Sequence, residues 1–178
     1  MIDIFINNEM LSRAQLKVEA VKFDSTRKTN QFGTEKKRAF IGFVGEQLVL
    51  HHLKTAVDVN HYDYDLIFNG LKIEVKTVSC NTKPALHYLC TVNSSQDVGA
   101  RKQLADYYIF TRVLENLTIG WILGYMRCSE FFERGRYIEK GSPPVDGISF
   151  LKANATVLQI KELRLMKTDK MRSINGTP

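Results

Sequence analysis

Cysteine is scarce in this chain: Cys80, Cys90 and Cys128 are the only three among 178 residues. Their number and scatter exclude a disulfide framework and a Cys-x-x-Cys metal site, so they read as reduced core residues of a cytoplasmic protein. Long apolar runs are missing too. No stretch approaches the ~20 consecutive apolar residues that a membrane-spanning helix needs, and "MIDIFINNEM" lacks the basic start and long apolar core of a signal peptide. Internal repeats and low-complexity blocks are absent. The four histidines, His51, His52, His61 and His87, lack metalloprotease spacing and read as ordinary surface or core residues.

A hydrophobic content of 44% in 178 residues suits a single globular domain with a sizeable core. The net charge of +6 and an isoelectric point near 9.2 favour a polyanionic partner such as nucleic acid.

The densest concentration of charge with a definite geometry is "YDYDLIFNGLKIEVK", residues 62–76. Asn-Gly between two runs rich in aromatic and β-branched residues predicts a hairpin closed by a type I′ turn at Asn69-Gly70. Counting outward pairs Phe68 with Leu71, Ile67 with Lys72, Leu66 with Ile73, Asp65 with Glu74 and Asp63 with Lys76. Alternation then gives an apolar face of Tyr64, Leu66, Phe68, Leu71, Ile73 and Val75. Asp63, Asp65, Glu74 and Lys76 share the other face. Two carboxylates directly opposed across strands repel, so Asp65 and Glu74 either share a proton or hold a cation. A hard divalent ion such as Mg²⁺, bound through one or two carboxylates plus water and substrate phosphate, resolves the repulsion. The competing reading is a solvated face in which Asp63–Lys76 is an ordinary cross-strand ion pair.

Elsewhere, "AQLKVEAVKF" alternates through Leu16, Val18 and Ala20 and suggests an extended segment, with helix left open. "DSTRKTNQFGT" reads as a loop, and with Lys36, Lys37 and Arg38 it forms the most basic stretch, a candidate for phosphate contact. From Thr34, a plausible N-cap, to Leu53 the pattern is helical. Gln47, His51 and Lys54 form its polar stripe. Glu46 lies off that stripe, where burial without a partner costs several kcal/mol. Gly42 and Gly45 predict close approach of another element. "PALHYLCTV" reads as a third strand, and residues 94–106 as a loop leading into a short helix. "YYIFTRVL" and "IGWILGYM" are two further strands joined near Glu115 and Asn116. "SEFFERG" is a short helix capped by Ser129 and stopped by Gly135. A loop, "KGSPPVDG", a last element, "ATVLQIKELRLM", and a polar, mobile tail from 167 to 178 complete the chain. Tyr107, Tyr108, Phe110 and Trp121 read as core rather than base-stacking platforms. The whole is an α/β layer architecture, a central mixed sheet flanked by helices.

Glu46 on an early helix, Asp65 at the hairpin and Glu74-Val75-Lys76 resemble the PD-(D/E)xK nuclease superfamily. "GEQLVLHHL", "YDYDL", "IEVKT", "ADYYIF" and "IGWI" follow one another as in its short bacterial and phage-encoded members. The likeness covers roughly residues 34 to 135, with "VLQIKELRLM" similar to their closing segment. What it implies is a restriction-endonuclease-like core of order α-β-β-β-α-β, with an additional strand and C-terminal elements. The single nuclease domain then has an N-terminal extension (1–33), a catalytic core (34–166) and the tail. The implied activity is metal-dependent hydrolysis of DNA phosphodiesters. Asp65 and Glu74 bind Mg²⁺, or Mn²⁺ as substitute, helped by the main-chain carbonyl of Val75. Lys76 orients the attacking water and stabilises charge on the phosphate. Glu46 reaches the site through water, through Lys76 or as ligand to a second ion. Lys36, Lys37, Arg38, Arg101 and Lys102 are the candidate DNA contacts, with Gln96 and Gln103 as weaker ones. DNA is the implied partner, homodimer formation stays open and no membrane is involved. Cleavage of RNA, or a catalytically idle binding module on the same fold, are the alternatives. The superfamily's proline before the aspartate is replaced here by Tyr64, and Asp63 is a second-choice ligand because it faces Lys76.

Overall fold

The computed structural model of the chain describes residues 1–21, 32–59, 61, 63–93, 105–142 and 153–166, with backbone alone at 32–34. The expectations for the loop from 24 as far as residue 31, for the loop and short helix that hold Gln96, Arg101, Lys102 and Gln103, for most of "KGSPPVDG" and for the tail lie outside the described residues.

The chain opens with β1 (Ile2–Phe5) and α1 (Asn8–Ala20). The segment around Leu16 is thus helical, not extended. Asn7 Oδ1 caps the helix by accepting from the Met10 N–H at 2.9 Å. Met10, Ala14 and Val18, spaced by four, bury one face of it, while Leu16 is 65% exposed. An alternation of only three residues fits either period, and burial selects the helical one.

Next comes α2 (Phe32–His52). It begins before Thr34, which lies in the first turn instead of at the cap. Its second half is core, with Val44, Leu48 and Val49 fully buried. His51 and Lys54 are exposed as expected of a polar stripe, but Gln47 is buried, because α1 packs along α2.

The strands are β2 (Val57–Asp58), β3 (Leu66–Phe68), β4 (Leu71–Cys80), β5 (Leu89–Asn93), β6 (Tyr107–Leu114) and β7 (Ile119–Arg127), followed by α3 (Cys128–Arg134), β8 (Arg136–Ile138) and β9 (Ala155–Gln159). A six-stranded mixed sheet runs β1-β7-β6-β4-β3-β2, with β4 and β6 parallel and its other pairs antiparallel. β5 does not join it as a third neighbour of the hairpin. Both edges of β4 are taken, by β3 and β6, and β5 instead pairs with β9 in a three-stranded sheet of order β5-β9-β8. α3 starts after Arg127 with no side-chain cap, so Ser129 sits inside it, and Gly135 ends it as expected.

Apolar residues pack on both faces of the large sheet. Val44 and Leu48 of α2 meet Ile73, Val75, Ile109 and Val113 in one cluster. Tyr108, Phe110, Trp121, Leu123, Phe131 and Leu158 form the other, and Tyr107 is buried as well, so the strand aromatics are core. The three cysteines are free, and burial pushes the Cys90 and Cys128 thiols up to about 12, which keeps them protonated at neutral pH. Among the described residues no helix is long and apolar enough to cross a membrane. The architecture is mixed α/β, with three α-helices among the described residues.

Candidate active site

The hairpin closes as its dipeptide dictates. Asn69 and Gly70 take φ values of +50° and +78°, the positive pair that a type I′ turn requires. Phe68–Leu71, Ile67–Lys72 and Leu66–Ile73 then pair in the counted register. There the ladder stops. The Asp65 N–H donates to Ile73 O at 2.9 Å, and Asp65 Oδ2 accepts from the Val75 N–H at 2.7 Å. Asp65 therefore clasps the backbone on either side of Glu74 instead of opposing it in a regular pair. Asp63 also leaves the strand, and its N–H donates to His61 Nδ1 at 3.2 Å. The cross-strand pair between Asp63 and Lys76 does not form; Lys76 Nζ instead donates to Glu74 Oε1 at 2.6 Å.

Because side chains alternate along β4, Ile73 and Val75 enter the α2 cluster while Glu74 and Lys76 point to the opposite face. On that face Lys76 Nζ stands 5.7 Å from the centre of the Tyr108 ring, whose residue pairs with Glu74 in the parallel ladder.

Glu46 arrives from α2, and its neighbour Gly45 explains how. A Cβ on Gly45 would lie 2.0 Å from Thr77 Oγ1 and 2.6 Å from Thr111 Oγ1, so only a glycine lets the helix settle this close to β4 and β6. Gly42 has no such role, since nothing lies within 4 Å of its Cβ position. Glu46 itself is 5% exposed. Its partner is Lys17 of α1, whose Nζ donates to Glu46 Oε2 and, at 2.8 Å, to Asp58 Oδ1 of β2.

The electrostatics tie these groups into one cluster. Burial pushes Asp65 up to about 8, and the negative charges of Glu46 and Glu74 push the same way against the Val75 N–H and Lys76. Burial likewise raises Glu46 to about 6 in spite of Lys17, with Asp58 and Glu74 adding to the rise. Burial alone would lower the Lys17 ammonium, yet Glu46 and Asp58 outweigh it and hold its pKa above the ordinary value. Glu46 and Glu74 thus both act on Asp65 through their charge, with Lys17 bridging Glu46 to Asp58 and Lys76 paired with Glu74.

Among the described residues no three His, Cys, Asp or Glu side chains make a ready-built metal cage. The donor chemistry nevertheless suits a hard divalent cation: Mg²⁺ takes one or two carboxylates and keeps its waters, and Asp65, driven toward protonation by burial first and by the negative charges of Glu46 and Glu74 second, has Glu74 as a neighbouring carboxylate. Val75 enters the geometry through its N–H, which fixes Asp65.

The other expected residues fall elsewhere. Lys36, Lys37 and Arg38 are exposed near the start of α2, on the order of 12–15 Å along the helix from Glu46 at ~1.5 Å per residue. Arg101 and Lys102 lie outside the described residues. Lys17 and Asp58 escaped sequence reasoning altogether. They are 41 residues apart, neither belongs to a motif, and only the tertiary fold brings them together. No family model matches this chain, and no curated protein does.

Proposed function

We propose that this protein is a metal-dependent nuclease that hydrolyses DNA phosphodiester bonds, built on a restriction-endonuclease-like core. The observation that carries the reading is the constellation at the hairpin: a half-buried Asp65 pinned by the Val75 N–H, beside a Glu74 that holds Lys76 at 2.6 Å. An ordinary ion pair between Glu74 and Lys76 would not need a further buried carboxylate, Asp65, beside it.

In this reading Asp65 and Glu74, with the Val75 carbonyl, would hold Mg²⁺ or Mn²⁺. A bound ion would polarise a phosphoryl oxygen and lower the pKa of a water. Lys76, positioned by Glu74, donates to the phosphate oxygens as negative charge builds there, and orients the attacking water. The buried Tyr108 ring below Lys76 limits the solvent around its ammonium. Glu46 adds negative charge that favours cation binding at Asp65. Lys36, Lys37 and Arg38 bind flanking phosphates, a role that fits the basic net charge.

A panel of supercoiled, linear and single-stranded DNA together with RNA, incubated with Mg²⁺ or Mn²⁺, tests this. Cutting of DNA that chelator abolishes supports it, and cutting of RNA alone moves the substrate class. Binding of DNA with no cutting under either ion makes the protein an idle binding module and refutes the reading.

A further inference from the structure

The proposed reaction requires a cation at Asp65 and Glu74, but it leaves Lys17 without a task. That lysine is unusual for its surroundings. Its side chain is 13% exposed, far less than a surface lysine, and it spans two carboxylates from different elements, Glu46 on α2 and Asp58 on β2. Phe43 covers it from the side, with Nζ 5.0 Å from the ring centre. A point charge held between two carboxylates at hydrogen-bond distance has the ligands and the position of a bound ion.

We infer that Lys17 is a built-in cation standing where a second metal ion would bridge Glu46 and Asp58, so that the acidic cluster admits one divalent ion and not two. The inference rests on the reading of the cluster as a metal site. Charge arithmetic agrees with it. With Glu46, Asp58, Asp65 and Glu74 ionised against Lys17 and Lys76, the cluster carries −2, which a single divalent ion neutralises. Without Lys17 it carries −3, and the two carboxylates that the lysine joined are left facing each other. The tether also explains how Glu46 is positioned. Lys17 belongs to the last turn of α1, whose Met10, Ala14 and Val18 are anchored in the core, so the ammonium cannot diffuse away as a metal ion can. It holds the Glu46 carboxylate beside Asp58. Lys17 is thus a positioning residue. A groove of about 430 Å³, lined by Arg13, Lys17, Gln47, Leu50, Lys54 and Asp58, leads from solvent to the lysine, so an ion has a way in once the ammonium is removed.

The test counts Mn²⁺ ions bound to the full chain without DNA, at pH 7.5, by titration calorimetry and by electron paramagnetic resonance of the free ion. The wild type and Lys17→Arg are expected to take one ion each and Lys17→Met two, with the Lys17→Met, Asp58→Asn double variant returning to one. A second ion in the wild type or in Lys17→Arg overturns the inference, whether or not Lys17→Met folds by circular dichroism. One ion in the wild type and one in folded Lys17→Met overturns it too, while leaving the metal site standing. No ion in the wild type removes the proposed metal site itself, and the inference with it.

Discussion

Gly45 and Thr77 are in such close contact that a single added carbon would collide: a Cβ on Gly45 would stand 2.0 Å from Thr77 Oγ1. The helix that bears Glu46 is therefore seated on the strand that bears Glu74 and Lys76 by the absence of a side chain. Gly45→Ala forces the two apart, and overpacking of this kind costs about 1–3 kcal/mol. Gly42→Ala, in open space on the same helix, should instead gain up to about 1 kcal/mol from helix propensity. Urea denaturation of both variants reads the opposite signs. A destabilised Gly42→Ala beside a neutral Gly45→Ala would contradict this packing.

Asp65 makes the metal-free protein sensitive to pH. Its folded-state pKa of about 8 is far above the ordinary value of 3.8, so the folded state holds its proton more tightly than the unfolded chain. The contribution of Asp65 to stability is then full below about pH 4 and is lost as pH rises through about 8; Glu46, raised to about 6, contributes with the same sign. Asp65→Asn keeps an oxygen for the Val75 N–H but removes the titration. It should be more stable than the wild type at pH 8 and no more stable at pH 4. Thermal melts at the two pH values decide, and adding Mg²⁺ at pH 8 should raise the Tm of the wild type alone.

Lys76→Ala removes the cation aimed at the phosphate while leaving β4 paired on both sides. Cleavage should fall by about 10²–10³-fold, the typical loss when one electrostatic contact to a developing charge is deleted, with the far-ultraviolet circular dichroism unchanged. Unaltered turnover would exclude Lys76 from the chemistry.

Lys37 and Arg38 act, in this account, on phosphates outside the reacting centre. Lys37→Gln with Arg38→Gln should weaken DNA binding and reduce the salt dependence of log K by up to about 2, one per phosphate contact. The single-turnover rate at saturating DNA should not change. A fall in that rate with binding intact would place these residues differently.

The contrast between what could be read from the sequence and what could not follows the range of the interactions. Asn69-Gly70 is a local device, so the turn, its register as far as Leu66–Ile73 and the companionship of Asp65, Glu74 and Lys76 were legible. The strands Tyr107–Leu114 and Ile119–Arg127 were equally so, because both carry long apolar, β-branched runs. In α1, Leu16, Val18 and Ala20 obey a period of two by coincidence, while the decisive spacing of Met10, Ala14 and Val18 shows only when their burial is known. A pair between Asp63 and Lys76 presupposes an unbroken ladder, and the backbone departs at Asp65. Lys17 and Asp58 had no local signal, since each derives its meaning from a partner dozens of residues away. The departure of β5 to the second sheet likewise depends on the distant β9.

The central claim is that Asp65 and Glu74 serve a divalent ion that cuts DNA, and the most direct measurement is the rate of supercoiled plasmid cleavage in Mg²⁺ by the wild type against Asp65→Asn. The account predicts cutting by the wild type that chelator stops, and at least a ~10²-fold loss in the variant. Equal rates in the two proteins, or cutting that persists in chelator, would contradict it.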